Sequence, residues 1–222
     1  MTVELLLAPL ALDDGTLASF EASLSPGEHA RAETLRDARL RRRYVADHGW
    51  RRRVLGERLG CAPADVAYAV GPRGKPEPAG GALRFSASRT GDTALYAVSG
   101  SPDAEVGVDV EEIRDPANLA GIVQRVLSAA ERAALERVPD GERAAAVFAC
   151  WTRKEAYLKA LGTGLVFPLT ELELWAGDDR PVLCGEVEVR SVDAGPGCAA
   201  AVAVRAGAGG RVSIPASPRR LA

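Results

Sequence analysis

No stretch of the sequence reaches the roughly 18 consecutive apolar residues that a membrane-spanning helix needs, so a transmembrane protein is not expected. The opening residues Met-Thr-Val-Glu-Leu-Leu-Leu lack a basic region and place Glu4 where a signal peptide is apolar, which sets the expectation of no secretory leader. The four cysteines, Cys61, Cys150, Cys184 and Cys198, are scattered and form no Cys-x-x-Cys pair, so neither a zinc site nor a disulfide framework is indicated. An excess of one charge is missing too. With 28 basic and 30 acidic side chains the net charge is −2, whereas nucleic-acid-binding domains usually run basic. No internal repeat is legible. These absences together predict a cytoplasmic protein with free thiols, with neither membrane nor nucleic acid as its partner.

What is present is ordinary in amount and uneven in placement. The chain has 222 residues, 47% hydrophobic and 26% charged, enough for a sizeable core in one domain or two small ones. Arginines crowd residues 31–58, while residues 103–115 are strongly acidic. A basic helix beside an acidic strand suits an anionic substrate bound with a metal ion.

Residues 147–165 have helical composition, with no Pro or Gly before Gly162. Trp151, Glu155 and Lys159 fall at i, i+4 and i+8, on one stripe of that helix. The stripe reads either as an exposed Glu-Lys pair beside a core Trp or as the wall of a polar cleft. In residues 106–111, Val106, Val108 and Val110 alternate with Gly107, Asp109 and Glu111, the period of a strand. Asp109 and Glu111 therefore share a face, and such a pair repels unless a cation or proton lies between them. A solvated acidic edge is one reading. Mg²⁺, a hard ion that takes carboxylates, phosphates and water, is the other, with Glu155 able to add a third carboxylate.

The two stretches together, Gly107-Val-Asp-Val-Glu111 and Trp151-Thr-Arg-Lys-Glu-Ala-Tyr-Leu-Lys159, resemble the 4′-phosphopantetheinyl transferases of the larger, surfactin-type (Sfp-type) class. That family carries a Gly-Val/Ile-Asp-x-Glu strand followed by a Trp-x-x-Lys-Glu-Ala/Ser-x-x-Lys helix. The resemblance spans roughly residues 20–205.

Taken in order, residues 3–7 read as a buried strand, and Ser25-Pro-Gly-Glu28 as a capping box that opens a helix. A second helix is predicted over 38–59, stopping at Gly60. Arg39, Arg43, Arg52 and Arg53 are assigned to its cationic side, and Leu40, Tyr44, Val54 and Leu55 to its buried side. This helix could be merely solvated, or could bind RNA; Arg is also suited to bidentate phosphate contacts. Residues 66–70 read as a strand, followed by the loop Gly71-Pro-Arg-Gly-Lys-Pro-Glu-Pro78. Strands are predicted at 94–98 and 106–110. Ser128-Ala-Ala-Glu131 forms a second capping box, and because the resembled family has an acidic residue here near the metal and phosphates, Glu131 reads equally as a cap or as a site residue. Short strands are expected at 169–175, 185–192 and 198–205, and the Gly-, Pro- and Arg-rich residues 207–222 are expected to be poorly ordered.

The resemblance implies an α+β fold of two similar α/β halves in pseudo-twofold arrangement, over residues 1–105 and 106–206. It implies transfer of the 4′-phosphopantetheine arm of coenzyme A to a serine of an apo acyl or peptidyl carrier protein, dependent on Mg²⁺, with adenosine 3′,5′-bisphosphate released. The metal ligands implied are Asp109, Glu111 and Glu155. Glu155, directly or through a metal-bound water, is the expected base for the serine, and Lys159 the cation that neutralises the diphosphate. Coenzyme A contacts fall to Arg31, Arg43, Lys75 of the Gly-Lys-Pro loop, Ser88, Arg89 and Lys159. Leu83-Arg-Phe-Ser-Ala-Ser-Arg-Thr-Gly91 departs from the family's Phe-Asn-x-Ser-His-Ser-Gly. Arg89 stands in place of the His and Ser86 in place of the Asn. Arg is permanently cationic and can contact phosphate, but takes over no titrating role. Two rival readings share these residues: another Mg²⁺-dependent transferase or nucleotide hydrolase using the same carboxylates, and an RNA-binding protein using residues 31–58. The second leaves the acidic strand and the Trp-Lys-Glu helix unexplained. With two halves in one chain, a monomer is expected.

Overall fold

Two long helices flank a pair of four-stranded sheets. The computed structural model describes residues 2–70, 76–114, 119–163, 167–175, 180–207 and 213–222. The chain begins with β1 (Val3–Pro9), α1 (Asp14–Ser23), α2 (Pro26–Glu33) and α3 (Ala38–Leu59). There follow β2 (Tyr68–Val70), β3 (Pro76–Pro78), β4 (Arg84–Thr90) and β5 (Thr93–Ser99). The second half runs β6 (Glu105–Glu112), α4 (Leu119–Val126), α5 (Ala129–Leu135), α6 (Arg143–Leu161), β7 (Val182–Cys184), β8 (Val187–Ser191) and β9 (Cys198–Arg205), before a terminal β10 (Arg219–Arg220). One sheet is ordered β10-β1-β5-β4 and the other β6-β9-β8-β7; β2 and β3 form a separate ribbon. In each half the first strand pairs antiparallel with the last, and the last with the one before it. This is the repeat that inspection of the sequence does not reveal: an α+β fold of two similar halves.

The periodicity of the strands sets the layers. Leu6 and Ala8 of β1, with Tyr96 of β5 and Phe85 of β4, face α1 and α3 through Phe20, Trp50 and Leu55. The alternate residues Val3, Leu5, Leu7, Leu95 and Ala97 meet Val106, Val108, Val110, Val202 and Val204 of the other sheet. Ala201 and Ala203 turn outward against Ala156 and Ala160 of α6. The order is therefore helix, sheet, sheet, helix. Both faces of each central strand are apolar because both are covered.

Caps define the helices as read from the sequence. Ser25 with Glu28, and Ser128 with Glu131, form reciprocal capping boxes. Asp37 accepts the Leu40 N–H at 2.9 Å, and Gly60 ends α3 in the left-handed conformation at φ 69°.

Three expectations need correction. Arg52, assigned to the cationic side of α3, is buried, whereas Leu40 is 50% exposed. Arg52 lies beside α2, where its guanidinium donates to Glu28 Oε2 at 2.7 Å and to the carbonyls of Pro63 and Val66. Residues 169–175 are not a strand. They form a 3₁₀ turn at Leu169–Glu171 and then run extended, their backbone groups serving a buried ion pair described below. The tail expected to be poorly ordered is, from Ser213 onward, placed against β1. Arg219 and Arg220 pair in parallel with Leu6 and Leu7, and the Leu221 N–H donates to Leu7 O at 2.8 Å. The open edge of β1 offers backbone groups that need partners, and the tail supplies them.

The α2–α3 contact carries an acid-stability prediction. Burial alone would raise the Glu28 pKa, but hydrogen bonds from His48, the Ser25 N–H and Arg52 outweigh it and hold the carboxyl at about 2, against an ordinary 4.5. The folded value lies below the unfolded one. The stabilisation is therefore complete above pH 4.5 and is lost as pH falls through about 2. Over that window the denaturation midpoint of the wild type should fall more steeply than that of Glu28→Gln. Parallel curves would show that Glu28 contributes nothing titratable.

Candidate active site

The corner where β4, at the edge of one sheet, lies beside β6, at the edge of the other, gathers the polar residues of interest. Gly107 makes the corner possible. A Cβ there would lie 2.0 Å from Ala156 O and 2.4 Å from Ala160 N, so only glycine lets α6 rest directly on β6. That contact brings Lys159 over the strand. Its Nζ donates to Asp109 Oδ1 at 2.7 Å and to Ser88 Oγ at 3.0 Å, and Ser88 Oγ donates to the same Oδ1 at 2.7 Å. Asp109 is buried, and its other oxygen, Oδ2, is buried with no hydrogen-bond partner among the described residues.

Two further carboxylates feel Asp109. Burial first, and the Asp109 charge second, push Glu111 up to about 6, with Lys159 opposing. The same two causes in the same order raise Glu155, while Lys159 and a hydrogen bond from Trp151 lower it. Among the described residues no three His, Cys, Asp or Glu side chains already form a group able to hold a metal ion. The donor chemistry nonetheless fits a hard cation. Asp109 Oδ2 is orphaned, and Glu111 and Glu155, half-buried beside the Asp109 charge, are both raised above their ordinary values, a charge excess that a cation would relieve.

The structure thus unites Ser88, Asp109 and Lys159, with Glu111 and Glu155 electrostatically coupled to them. The other expected residues lie apart. Arg89 follows Ser88 on the opposite face of β4, where its Nε is 3.4 Å from Asp47 Oδ2 on α3. Arg43, one turn before Asp47, donates to Asp92 Oδ1 at 2.7 Å, and Arg39 reaches the other oxygen of Asp92 at 3.0 Å. Arg31, on α2, donates to Thr34 Oγ1 at 3.2 Å. Lys75 lies outside the described residues.

Glu131, open between cap and site, is a buried structural group. Besides its capping box it accepts the Leu174 N–H at 2.8 Å and pairs with the buried Lys154. Lys154, inside the Trp-Thr-Arg-Lys-Glu motif, therefore faces the core. Its Nζ also donates to the carbonyls of Val126 and Leu169. The roles of Asp47 and Asp92 as partners of the arginines escaped the sequence, because neither lies in a motif. Thr90 also escaped it, and Ser86 was noted only as a departure from the family's Asn, although their alternation with Ser88 was a visible signal.

Comparison with known proteins points to one family. The model of the 4′-phosphopantetheinyl transferase superfamily matches residues 105–192, the segment that holds both β6 and α6. The 4′-phosphopantetheinyl transferase HetI of Nostoc sp. is 35% identical over 176 residues, 78% of this chain and 73% of that protein. A 4′-phosphopantetheinyl transferase of Bacillus subtilis is 28% identical over 172 residues, 72% of this chain and 75% of the relative. AcpT, a 4′-phosphopantetheinyl transferase of Salmonella typhimurium, is 40% identical over 111 residues, 50% of this chain and 56% of its own length. The chain belongs to the 4′-phosphopantetheinyl transferase superfamily of enzymes.

Proposed function

We propose that the protein transfers the 4′-phosphopantetheine arm of coenzyme A to a serine of an apo acyl or peptidyl carrier protein, with Mg²⁺, releasing adenosine 3′,5′-bisphosphate. The observation that carries this reading is the Ser88–Asp109–Lys159 corner with its unpartnered Asp109 Oδ2. In the reaction the serine oxygen bonds to the phosphorus bearing the pantetheine arm. The diphosphate P–O bond breaks, and the bisphosphate departs with the electron pair. Asp109, Glu111 and Glu155 would hold the metal, which when bound offsets charge on the phosphate oxygens. Lys159 bridges Asp109 and Ser88 and offers its ammonium to the same diphosphate. Glu155, on the motif stripe beside Asp109, takes the serine proton as general base. Arg43, Arg89, Lys75 and Arg31 supply cations to the phosphates of the coenzyme. Four free cysteines and a corner built from both halves of one chain support a cytoplasmic monomer.

Coenzyme A and a panel of apo carrier proteins, incubated with the protein and Mg²⁺, test the reading by intact mass. At least one carrier should gain the phosphopantetheine mass, and chelator or replacement of its serine should prevent the gain. Hydrolysis of coenzyme A with every carrier unmodified would favour a hydrolase instead.

Arg89 allows a finer check. Its side chain is 43% exposed and its contact with Asp47 is loose at 3.4 Å, so it can turn to a phosphate. Arg89→Ala should weaken coenzyme A binding by roughly ten-fold, the worth of one charge-assisted hydrogen bond, and Arg89→His should restore much of it. Calorimetry that finds unchanged affinity in Arg89→Ala would confine this residue to its pair with Asp47.

A further inference from the structure

Two more side chains of β4 reach β6, and neither has yet been given a role. Ser86 Oγ accepts the Val108 N–H at 3.1 Å, and Thr90 Oγ1 accepts the Glu112 N–H at 3.1 Å. Both pairs are separated by 22 positions, so the two strands lie side by side in one parallel register. No backbone ladder joins them, for they belong to different sheets. Side-chain hydroxyls stand where carbonyls would stand in a sheet. Ser86 and Thr90 are both buried, and Thr90 Oγ1 also donates to Glu111 Oε2 at 3.4 Å. Just beyond, the Glu112 carboxylate lies over Gly91, where a Cβ would come 1.7 Å from Oε1.

We infer that Ser86 and Thr90 are positioning residues that lock β6 against β4 in the one register that sets Ser88 on Asp109 and Lys159. A one-residue slip would turn Asp109 to the apolar face between the sheets. A two-residue slip would present Gly107 or Glu111 to Ser88 instead. Either slip would also strand the N–H groups of Val108 and Glu112, which is costly in a buried setting. Because the two bonds bracket Ser88, they resist sliding while leaving its hydroxyl to Asp109. The kinetic consequence rests on the transfer reading; the register itself does not.

The experiment compares the full chain with Ser86→Ala, Thr90→Val, the double variant and Thr90→Ser. Each is read by hydrogen exchange at Val108 and Glu112 and by steady-state transfer to a carrier protein. The single variants keep the test valid if the double variant does not fold. Removing a hydroxyl should speed exchange of its partner amide by roughly tenfold, with the amides of α3 unchanged. It should lower kcat on the order of ten- to a hundred-fold, as misplaced catalytic groups do, with KM for coenzyme A held within roughly two-fold. Thr90→Ser, which keeps the hydroxyl, should match the wild type in both. Unchanged exchange at Val108 and Glu112 overturns the inference. So does faster exchange throughout the chain, or local loosening with wild-type kcat. If the wild type modifies no carrier while the two amides respond as expected, the transfer reading fails and the register lock stands.

Discussion

Asp109→Asn should lower carrier-protein modification by ~100- to 1,000-fold, the largest effect expected of any single substitution in this protein. Asp109 is the hub of the corner. One oxygen receives both Lys159 and Ser88, and the other is buried without a partner. Asn keeps the shape but removes the charge and offers an N–H₂ where a cation would be received. Loss of one ligand of a catalytic metal, about 3–4 kcal/mol of transition-state stabilisation, converts to that range at 1.36 kcal/mol per decade. The rate of mass gain on a carrier serine is the measurement, with circular dichroism to show the fold retained. A variant that keeps a tenth or more of wild-type turnover would remove Asp109 from the machinery.

The largest effect on stability should come from Glu131→Ala. Lys154 and Glu131 are both essentially inaccessible to solvent, and the carboxylate has four tasks. It pairs with Lys154, returns the capping bond to the Ser128 N–H at 2.8 Å, receives the Leu174 N–H at 2.8 Å, and accepts from the Cys150 thiol at 3.3 Å. Truncation leaves a buried ammonium facing only carbonyls. Breaking a buried pair this way costs about 3–5 kcal/mol. For a protein of this size that lowers the melting temperature by roughly 6–20 °C. The double substitution Glu131→Leu with Lys154→Met, which removes both charges, should recover much of the loss, since a well-packed apolar pair can replace a buried ion pair. A shift below roughly 2 °C for Glu131→Ala in a thermal melt would show that water or a neighbouring group relieves Lys154.

The cysteine neighbour of that pair is a by-product of the same burial. Desolvation, then the Glu131 charge, push the Cys150 thiol above its ordinary range. It behaves as a buried apolar group, and its place in the motif helix reflects packing against Val126, Leu127 and Val147.

Sequence alone determined whatever depends on neighbours a few residues apart. Both capping boxes, the end of α3 at Gly60, the shared face of Asp109 and Glu111, and the stripe of Trp151, Glu155 and Lys159 follow from periods of 3.6 and 2 and from local hydrogen bonds. Tertiary structure decided what depends on partners far along the chain. It buried Arg52 and Lys154, gave Arg43 to Asp92 and Arg89 to Asp47, turned residues 169–175 from strand to backbone support for Lys154, and set the tail against β1. A charged side chain carries no local mark of burial, because the cost of desolvation and the partner that offsets it are both fixed by packing. The corner between β4 and β6 shows the division most sharply. The period of β6 could place Asp109 and Glu111 on one face, but only the fit of α6 over Gly107 and of β4 beside β6 could set Lys159 and Ser88 upon Asp109.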